Sequence, residues 1–551
     1  MVCDGKGGAA GAVRVDRREK TIADPTSRWE HSTSDRDGIL WDMSAPQPIP
    51  HPWHSELPKL GSDAEFAALR RAFQDSGYNV ENLCRYLNVD QLDRYKTPPK
   101  ELRDAVPIQN PLDALIRLFL DAVDVDESAL ATLPEDSVAA MWSLNLLARS
   151  PENPGSCYAN FTIPPVRGVL TMMDRAISPE GHTCPLPGDV VYPSVVENTR
   201  EFVAGLPSTP CEALLDIGTG TGIAALEGAR YARHCWGTDI IARPVRFAEF
   251  NRRLNGIENM TSIQGDLYQP VAGLTFDRIV THPPYVPSMR NDVVFRDGGE
   301  DGEQIIRGVV EGLPQSLRVG GRLYSLHMAS DRKGEPYEQR IRKWLGPRQE
   351  EFDVAVVALR LHHPDDFVDR QVSVLKRDRS EIAFWMKMWE ANQTEYLVYC
   401  WILVRRHDGS RPAVTVRASA GKKFQTKDMD RLLEWESLAA SARGTALLMA
   451  SKPALAANCE LVVLNRVRDG QFSAEQFQIR THEPFDNKVQ IDGWVAELLA
   501  ECDGVRTGRE HFQRRVEAGV LPPNPDPVEF ANVLRWLISS GAATIPEYLA
   551  G

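Results

Sequence analysis

From Ala213 the chain reads Ala-Leu-Leu-Asp-Ile-Gly-Thr-Gly-Thr-Gly, ending at Gly222. A short apolar run closes on an acid, glycine then recurs at alternate positions, and a helix-forming stretch follows at once. Glycine lets the backbone turn tightly and lets a ligand approach with no side chain between. In open parallel sheets such loops lie at the carboxyl ends of strands, where ligands bind. Dinucleotide sites space their glycines Gly-x-Gly-x-x-Gly, whereas here they fall at Gly218, Gly220 and Gly222. Asp216, just before the first glycine, suits a cationic ammonium or sulfonium. Asp239 ends the next strand-like run and suits two ribose hydroxyls. Asp266, in Gly265-Asp266-Leu267-Tyr268, ends the third and suits an adenine amino group. Each acid alone reads equally well as a loop or cap residue; three at successive strand ends behind one glycine loop do not. Ammonium, sulfonium, ribose and adenine together describe S-adenosylmethionine. The expected cofactor contacts are Asp216, Gly218, Thr219, Gly220, Gly222, Asp239, Ile240, Asp266 and Leu267.

A second constellation follows the fourth strand-like run. It reads Thr281-His282-Pro283-Pro284-Tyr285-Val286-Pro287, with Asp297-Gly298-Gly299-Glu300-Asp301-Gly302 downstream. Together with the glycine loop, these segments resemble class I methyltransferases of the methyltransferase small domain group. That group includes the release-factor glutamine N5-methyltransferases and, more distantly, the adenine N6-methyltransferases of DNA and RNA. The helical region ahead of this core further resembles a group of actinobacterial methyltransferases. The resemblance covers roughly 60 to 330 and extends toward 404, and it leaves out the C-terminal part. It implies a Rossmann-like fold, S-adenosylmethionine as cofactor, and His282, Pro283, Pro284 and Tyr285 as the catalytic loop.

The family loop is Asn-Pro-Pro-Tyr, and its chemistry is specific. An amide or exocyclic amino nitrogen is a poor nucleophile because its lone pair is delocalised. The Asn oxygen and a proline-loop carbonyl accept its two N–H bonds and localise that pair, while the Tyr ring packs on the planar group. Transfer then needs mainly alignment. Here His282 stands in the Asn position. Imidazole accepts through one nitrogen, so a planar NH2 group still fits. Imidazole also titrates near neutral pH and takes a proton, which suits a hydroxyl, carboxylic acid or amine of a small molecule. A third reading makes the chain a cofactor-binding regulator without catalysis. All three stay open at this point.

From 181 to 325 short apolar runs alternate with helical patterns, which implies a parallel sheet covered on both faces. The fold class is therefore α/β, with a Rossmann-like, seven-stranded, mostly parallel core over 181–410. Within it 361–394 is longer than a connection needs and reads as an insertion or cap. Tyr192 and Glu197 lie just before the first strand as weaker candidates, and Trp385 and Trp389, four apart, read as packing. Residues 59–180 form a helical, winged-helix-like domain, with helices over 66–73, 112–120 and 136–149 and a hairpin from 158–163 and 168–173. Residues 411–551 form an α+β domain, again winged-helix-like, with a hairpin at Asp469-Gly470, a capping box at Thr507 and Glu510, and a helix starting at Asp526-Pro527. Residues 1–58 read as disordered or extended.

Composition narrows the partners. The net charge of −13 over 551 residues argues against a surface that binds nucleic acid everywhere. The nine cysteines are scattered and form no Cys-x-x-Cys, which reads as reduced thiols and no zinc site. Adjacent His362 and His363 would point to opposite faces of a strand and chelate poorly, so no metal is expected. No signal-peptide pattern and no apolar run of about 18 residues is found. The expectation is a cytoplasmic chain with no membrane span, a homodimer contact, and an acceptor that is a protein, a nucleic acid or a small molecule.

Overall fold

The computed structural model describes residues 55–545, apart from 100–101, 104–105, 152, 180–187, 290–292, 374–378, 442 and 522–523. The expectation of disorder over 1–58 thus falls almost wholly outside the described residues. These residues form two compact units, one built from 55–349 and 360–407, the other from 350–359 and 408–545.

The larger unit opens with helices. Helix α1 (Asp63–Asp75) starts at a capping box: the Ser62 hydroxyl accepts from Glu65 N at 3.3 Å, and the Glu65 carboxylate accepts from Ser62 N at 2.6 Å. Its Phe66, Leu69 and Phe73 fall on one buried face. Helix α2 (Val80–Tyr86) and helix α3 (Pro111–Leu115) follow, the latter with Pro at its first position and a π-turn over Ile116–Leu120. Helix α4 (Glu135–Ser143) completes the set.

The hairpin expected over 158–163 and 168–173 is built differently. Residues Ser156–Ala159 join a three-stranded antiparallel sheet with Leu147–Arg149 and Val125–Asp126. Only Phe161–Thr162 and Pro165–Val166 pair back, on Met173–Asp174 and Val169–Leu170. Pro164 and Pro165 lack the N–H that a continuous ladder needs, so the hairpin breaks in two.

The sheet of this unit runs β6-β5-β4-β7-β8-β10 in space: β4 (Cys211–Ile217), β5 (Ala232–Asp239), β6 (Met260–Gln264), β7 (Phe276–Thr281), β8 (Leu317–Arg332) and β10 (Thr394–Arg406). The first five are parallel and β10 is antiparallel to β8. The expected α/β class with a mostly parallel sheet is what forms. Helices α5 (Glu197–Gly205), α6 (Ile223–Gly228), α7 (Ala242–Leu254), α8 (Gln304–Ser316) and α9 (Tyr337–Trp344) alternate with the strands. The order reverses between β4 and β7, which opens a crevice at their carboxyl ends. In sequence, β9 (Phe352–His362) and two helices over 361–394, α10 (Pro364–Ser373) and α11 (Arg379–Ala391), fall between β8 and β10. Trp385 and Trp389 are buried with Ile382 and Leu397 and pack as expected.

Helix α7 carries the N-terminal helices. Phe66 meets Phe250 edge-on at 4.9 Å, and Phe161 meets Phe247 at 5.4 Å. A buried ion pair joins Arg243 of α7 to Asp174, with Nε to Oδ2 at 3.0 Å. Asn251 accepts from Met172 N at 2.7 Å and donates to Thr221 O at 2.9 Å. One side chain thus ties the N-terminal part to the glycine loop.

In the smaller unit, residues 354–358 of β9 pair in parallel with β11 (Thr415–Ser419). The hairpin of β12 (Cys459–Arg468) and β13 (Gln471–Thr481) turns at Asp469 and Gly470, both at positive φ. Helix Gly508–Glu517 begins at the Thr507–Glu510 capping box, and helix Pro527–Ser539 at Asp526. Leu498, Leu499, Phe530, Leu534 and Leu537 centre its core. Among the described residues no helix is long and apolar enough to cross a membrane, and no cluster of His, Cys, Asp and Glu could hold a metal.

Candidate functional site

In the register of the sheet Ile217 pairs with Thr281, and Asp239 with Gln264. The loops after β4, β5, β6 and β7 therefore leave the sheet along one edge. The four expected groups of residues converge there because the parallel ladder aligns their strand ends.

The glycine loop folds over the end of β5. Gly218 N and Thr219 N both donate to Thr238 O, at 2.8 and 3.0 Å. Gly218 and Gly220 have φ of 71° and 54°, and a Cβ on either would meet nothing within 4 Å. The loop thus presents bare backbone to open space. Gly222 differs. Its φ is 82°, and an added Cβ would lie 3.1 Å from Ala248 Cβ and 3.2 Å from Met260 Cε. It serves the packing of α6 on α7 rather than ligand approach.

Two other expected contacts also lie beneath the loop. Thr219 is buried and donates to Asp216 Oδ2 at 2.7 Å. An added Cβ on Gly237 would strike that Thr219 hydroxyl, so Thr219 positions the loop and does not face the open side. Asp216 is buried as well, and burial pushes its carboxyl up to about 7. A ligand cation would favour its charged form.

Asp239 faces the loop from β5. Its carboxylate accepts from Gly220 N at 3.1 Å and Ile241 N at 3.1 Å, and burial raises its pKa. Beside it Ile240 is 53% exposed. Asp266 is exposed at the end of β6, and Leu267 takes φ 46° with its carbonyl accepting from Thr238 Oγ1 at 3.1 Å. A bare cradle, carboxylates beside it and an exposed apolar side chain between them fit a ligand with an amino acid end, a ribose and a flat ring. These residues fit S-adenosylmethionine.

Across the crevice, Thr281 Oγ1 donates to Ile217 O at 2.8 Å and anchors the reaction loop. The His282 ring lies parallel to Tyr285, with centroids 6.0 Å apart and planes at 11°, and Phe202 flanks it at 5.3 Å. These neighbours desolvate the imidazole and push it down to about 4, so His282 is neutral at physiological pH. Pro283 is buried behind it. The acidic-glycine segment clasps the loop from outside. Val286 N donates to Arg296 O at 2.9 Å and Gly298 N to Val286 O at 2.8 Å. An added Cβ on Gly298 would sit 2.8 Å from both Pro284 O and Tyr285 Cα, so only glycine lets the two segments touch. The buried Glu303 next to that segment accepts from Ser330 N at 3.0 Å and Arg340 Nη2 at 2.6 Å.

The insertion also braces the loop. Trp385 Nε1 donates to Pro287 O at 2.8 Å in a buried contact. Trp385→Phe keeps an aromatic ring but removes the N–H and part of the buried indole, and is expected to cost about 1–3 kcal/mol in urea unfolding; an unchanged midpoint would refute the brace.

Tyr192 does reach the site: its ring packs on Phe295 at 4.8 Å and its hydroxyl donates to Asn198 at 3.3 Å. Glu197 is exposed at the first turn of α5, one turn before Glu201, whose carboxyl its charge helps to raise. Three side chains in reach of Tyr285 carry no sequence motif: Asn198, Glu201 and Tyr399. Only their place on α5 and the last strand brings them here.

Comparison with known proteins adds the following. The family model "Methyltransferase small domain" matches residues 193–350. The release factor glutamine methyltransferase of Moorella thermoacetica is 36% identical over 137 residues, covering 22% of this chain and 48% of that protein. A putative protein N5-glutamine methyltransferase of Methanocaldococcus jannaschii is 31% identical over 141 residues, 24% of this chain and 71% of that protein. The ribosomal protein uL3 glutamine methyltransferase of Xanthomonas campestris pv. campestris is 30% identical over 122 residues, 20% of this chain and 39% of that protein. The chain spans about half the length of the first of these relatives.

Proposed function

This chain belongs to the methyltransferase small domain group of class I S-adenosylmethionine-dependent methyltransferases, and from that premise we propose that it methylates a planar nitrogen of a protein, with a glutamine-like carboxamide as acceptor. S-adenosylmethionine is the family's cofactor and, when bound, supplies an electrophilic methyl on a sulfonium. Gly218 and Gly220 would give it backbone room, and Asp239, Ile240, Asp266 and Leu267 would hold its nucleoside.

The observation that carries the acceptor class is His282, kept neutral by desolvation and parallel to the Tyr285 ring. A neutral imidazole accepts an N–H at one nitrogen, as the family amide oxygen does. With a pKa of about 4, it is a weak base at neutral pH. That weighs against acceptors whose oxygen must be deprotonated, because general-base catalysis works best with a pKa near the operating pH. The Tyr285 ring, parallel to it, offers the face on which a planar group packs. The relatives named as glutamine methyltransferases support the same acceptor. A nucleic acid amino group shares the planar chemistry, but the net charge of −13 disfavours a polyanion.

Two measurements test this. Calorimetric titration with S-adenosylhomocysteine is expected to show binding, and none would remove the premise for this chain. Labelled S-adenosylmethionine added to cell extract is expected to mark the protein fraction. Label confined to RNA or to small molecules would replace the acceptor.

A further inference from the structure

The acceptor side of the site holds a partly buried carboxylate that cofactor binding does not explain. Glu201, on α5, is next in sequence to the Phe202 that flanks His282. Burial raises its pKa. Tyr399, on β10, is buried and donates from its hydroxyl to Glu201 Oε2 at 3.4 Å. The Tyr399 ring meets Tyr285 edge-on at 6.4 Å, while the Arg360 guanidinium lies over it at 5.2 Å. Asn198, three residues before Glu201 on the same helix, takes the Tyr192 hydroxyl and reaches that of Tyr285. A carboxylate, an amide and two further phenols thus gather around the tyrosine of the reaction loop.

A carboxylate has about four acceptor positions, and Tyr399 is the one hydrogen-bond donor to Glu201 among the described residues. Its acceptor capacity is therefore mostly unused. Burying a carboxylate costs free energy unless donors compensate. The Arg360 charge offsets part of that cost but gives Glu201 no hydrogen bond among the described residues; a group bearing N–H at this place would supply donors, whereas a second carboxylate would bring none and would meet the Glu201 charge.

We propose that Glu201, oriented by Tyr399, is a specificity residue that accepts the carboxamide N–H not taken by His282, in place of the family's proline-loop carbonyl, and so favours a carboxamide over a carboxylate, glutamine over glutamate. The proposal rests on the planar-nitrogen reading above. It adds a residue from outside the reaction loop and a direction of selectivity.

The test uses the full chain, labelled S-adenosylmethionine, and a pool of peptides with one glutamine each, matched to a pool with glutamate at the same place. In Glu201→Gln, kcat/KM on glutamine peptides is expected to fall about tenfold, mainly through KM, with S-adenosylhomocysteine affinity within about twofold of the parent. Inhibition by the glutamate pool should strengthen as the repelling charge goes. A merely structural role would not move that inhibition. Unchanged kcat/KM and unchanged inhibition would overturn the proposal while the acceptor class stands. Wild-type chain that binds S-adenosylhomocysteine but labels no glutamine peptide would sink the acceptor class, and the Glu201 role with it. If Glu201→Gln loses cofactor affinity through misfolding, Glu201→Asp decides. It withdraws the carboxylate by one methylene, so the preference for glutamine peptides is expected to fall, and an unchanged preference in a variant that still binds cofactor would overturn the assignment.

Discussion

Gly220→Val is expected to weaken S-adenosylhomocysteine binding by about 100-fold or more, roughly 2.7 kcal/mol, in a chain that still folds. The reason is geometric. At φ 54° an added Cβ meets no protein atom within 4 Å, so the new side chain projects into the space where the ligand must lie against bare backbone. Folding is penalised only by the left-handed backbone, about 1–2 kcal/mol for a residue with a Cβ, somewhat more for a β-branched one. Gly334→Val separates the two effects. Gly334 sits at φ 72°, also with nothing within 4 Å, in a turn beyond β8. It should show the same loss in thermal midpoint and leave the calorimetric affinity unchanged. Equal affinity in both variants would mean that the glycine loop is not the cofactor cradle. Gly222→Val should behave differently again, since Ala248 and Met260 crowd it. There the loss appears in folding, and any loss of binding follows from it.

That contrast shows how far the residue pattern reaches. Alternate glycines and acids at successive strand ends are local signals, and β-strand alternation carries them to one edge of the sheet. Asp216, Asp239 and Asp266 were legible for that reason. Which glycine faces the ligand was not, because it depends on α7, a helix away. Gly222 and Thr219 carry the same motif as Gly220 yet point into the protein. The hairpin of the N-terminal part was misread because strand-like runs do not reveal which partner each one finds; Pro164 and Pro165 halved the ladder. Asp174–Arg243 and Glu201–Tyr399 join residues far apart in sequence, and neither partner sits in a recurring spacing. Asn251 belongs to no motif, and only its bonds to Met172 and Thr221 show that it links the glycine loop to the N-terminal part.

The substitution that separates the readings of His282 follows from its surroundings. His282→Ala is expected to lower methyl transfer by about 100-fold, the usual effect of deleting one positioned hydrogen-bonding group at a reacting centre, with S-adenosylhomocysteine affinity little changed. His282→Asn should restore the transfer to within about tenfold of the parent, because an amide oxygen accepts the same N–H. A catalytic base would give the opposite pattern: Asn cannot take a proton and would be as poor as Ala. The pH profile gives an independent reading. Desolvation among Phe202, Tyr285 and their neighbours lowers the imidazole from 6.5 to about 4, so the neutral form persists down through weakly acidic solution. Transfer should be flat from neutrality to about pH 5 and should fall only as the pH approaches 4. Stability is linked with a definite sign. The unfolded chain takes up this proton at higher pH than the folded one, so the contribution is complete above about 6.5 and is lost as the pH falls toward 4. His282→Asn removes that segment of the pH dependence. A transfer rate that instead halves near pH 6.5, or an Asn variant without activity, would return His282 to the role of a base and reopen acceptors that must be deprotonated.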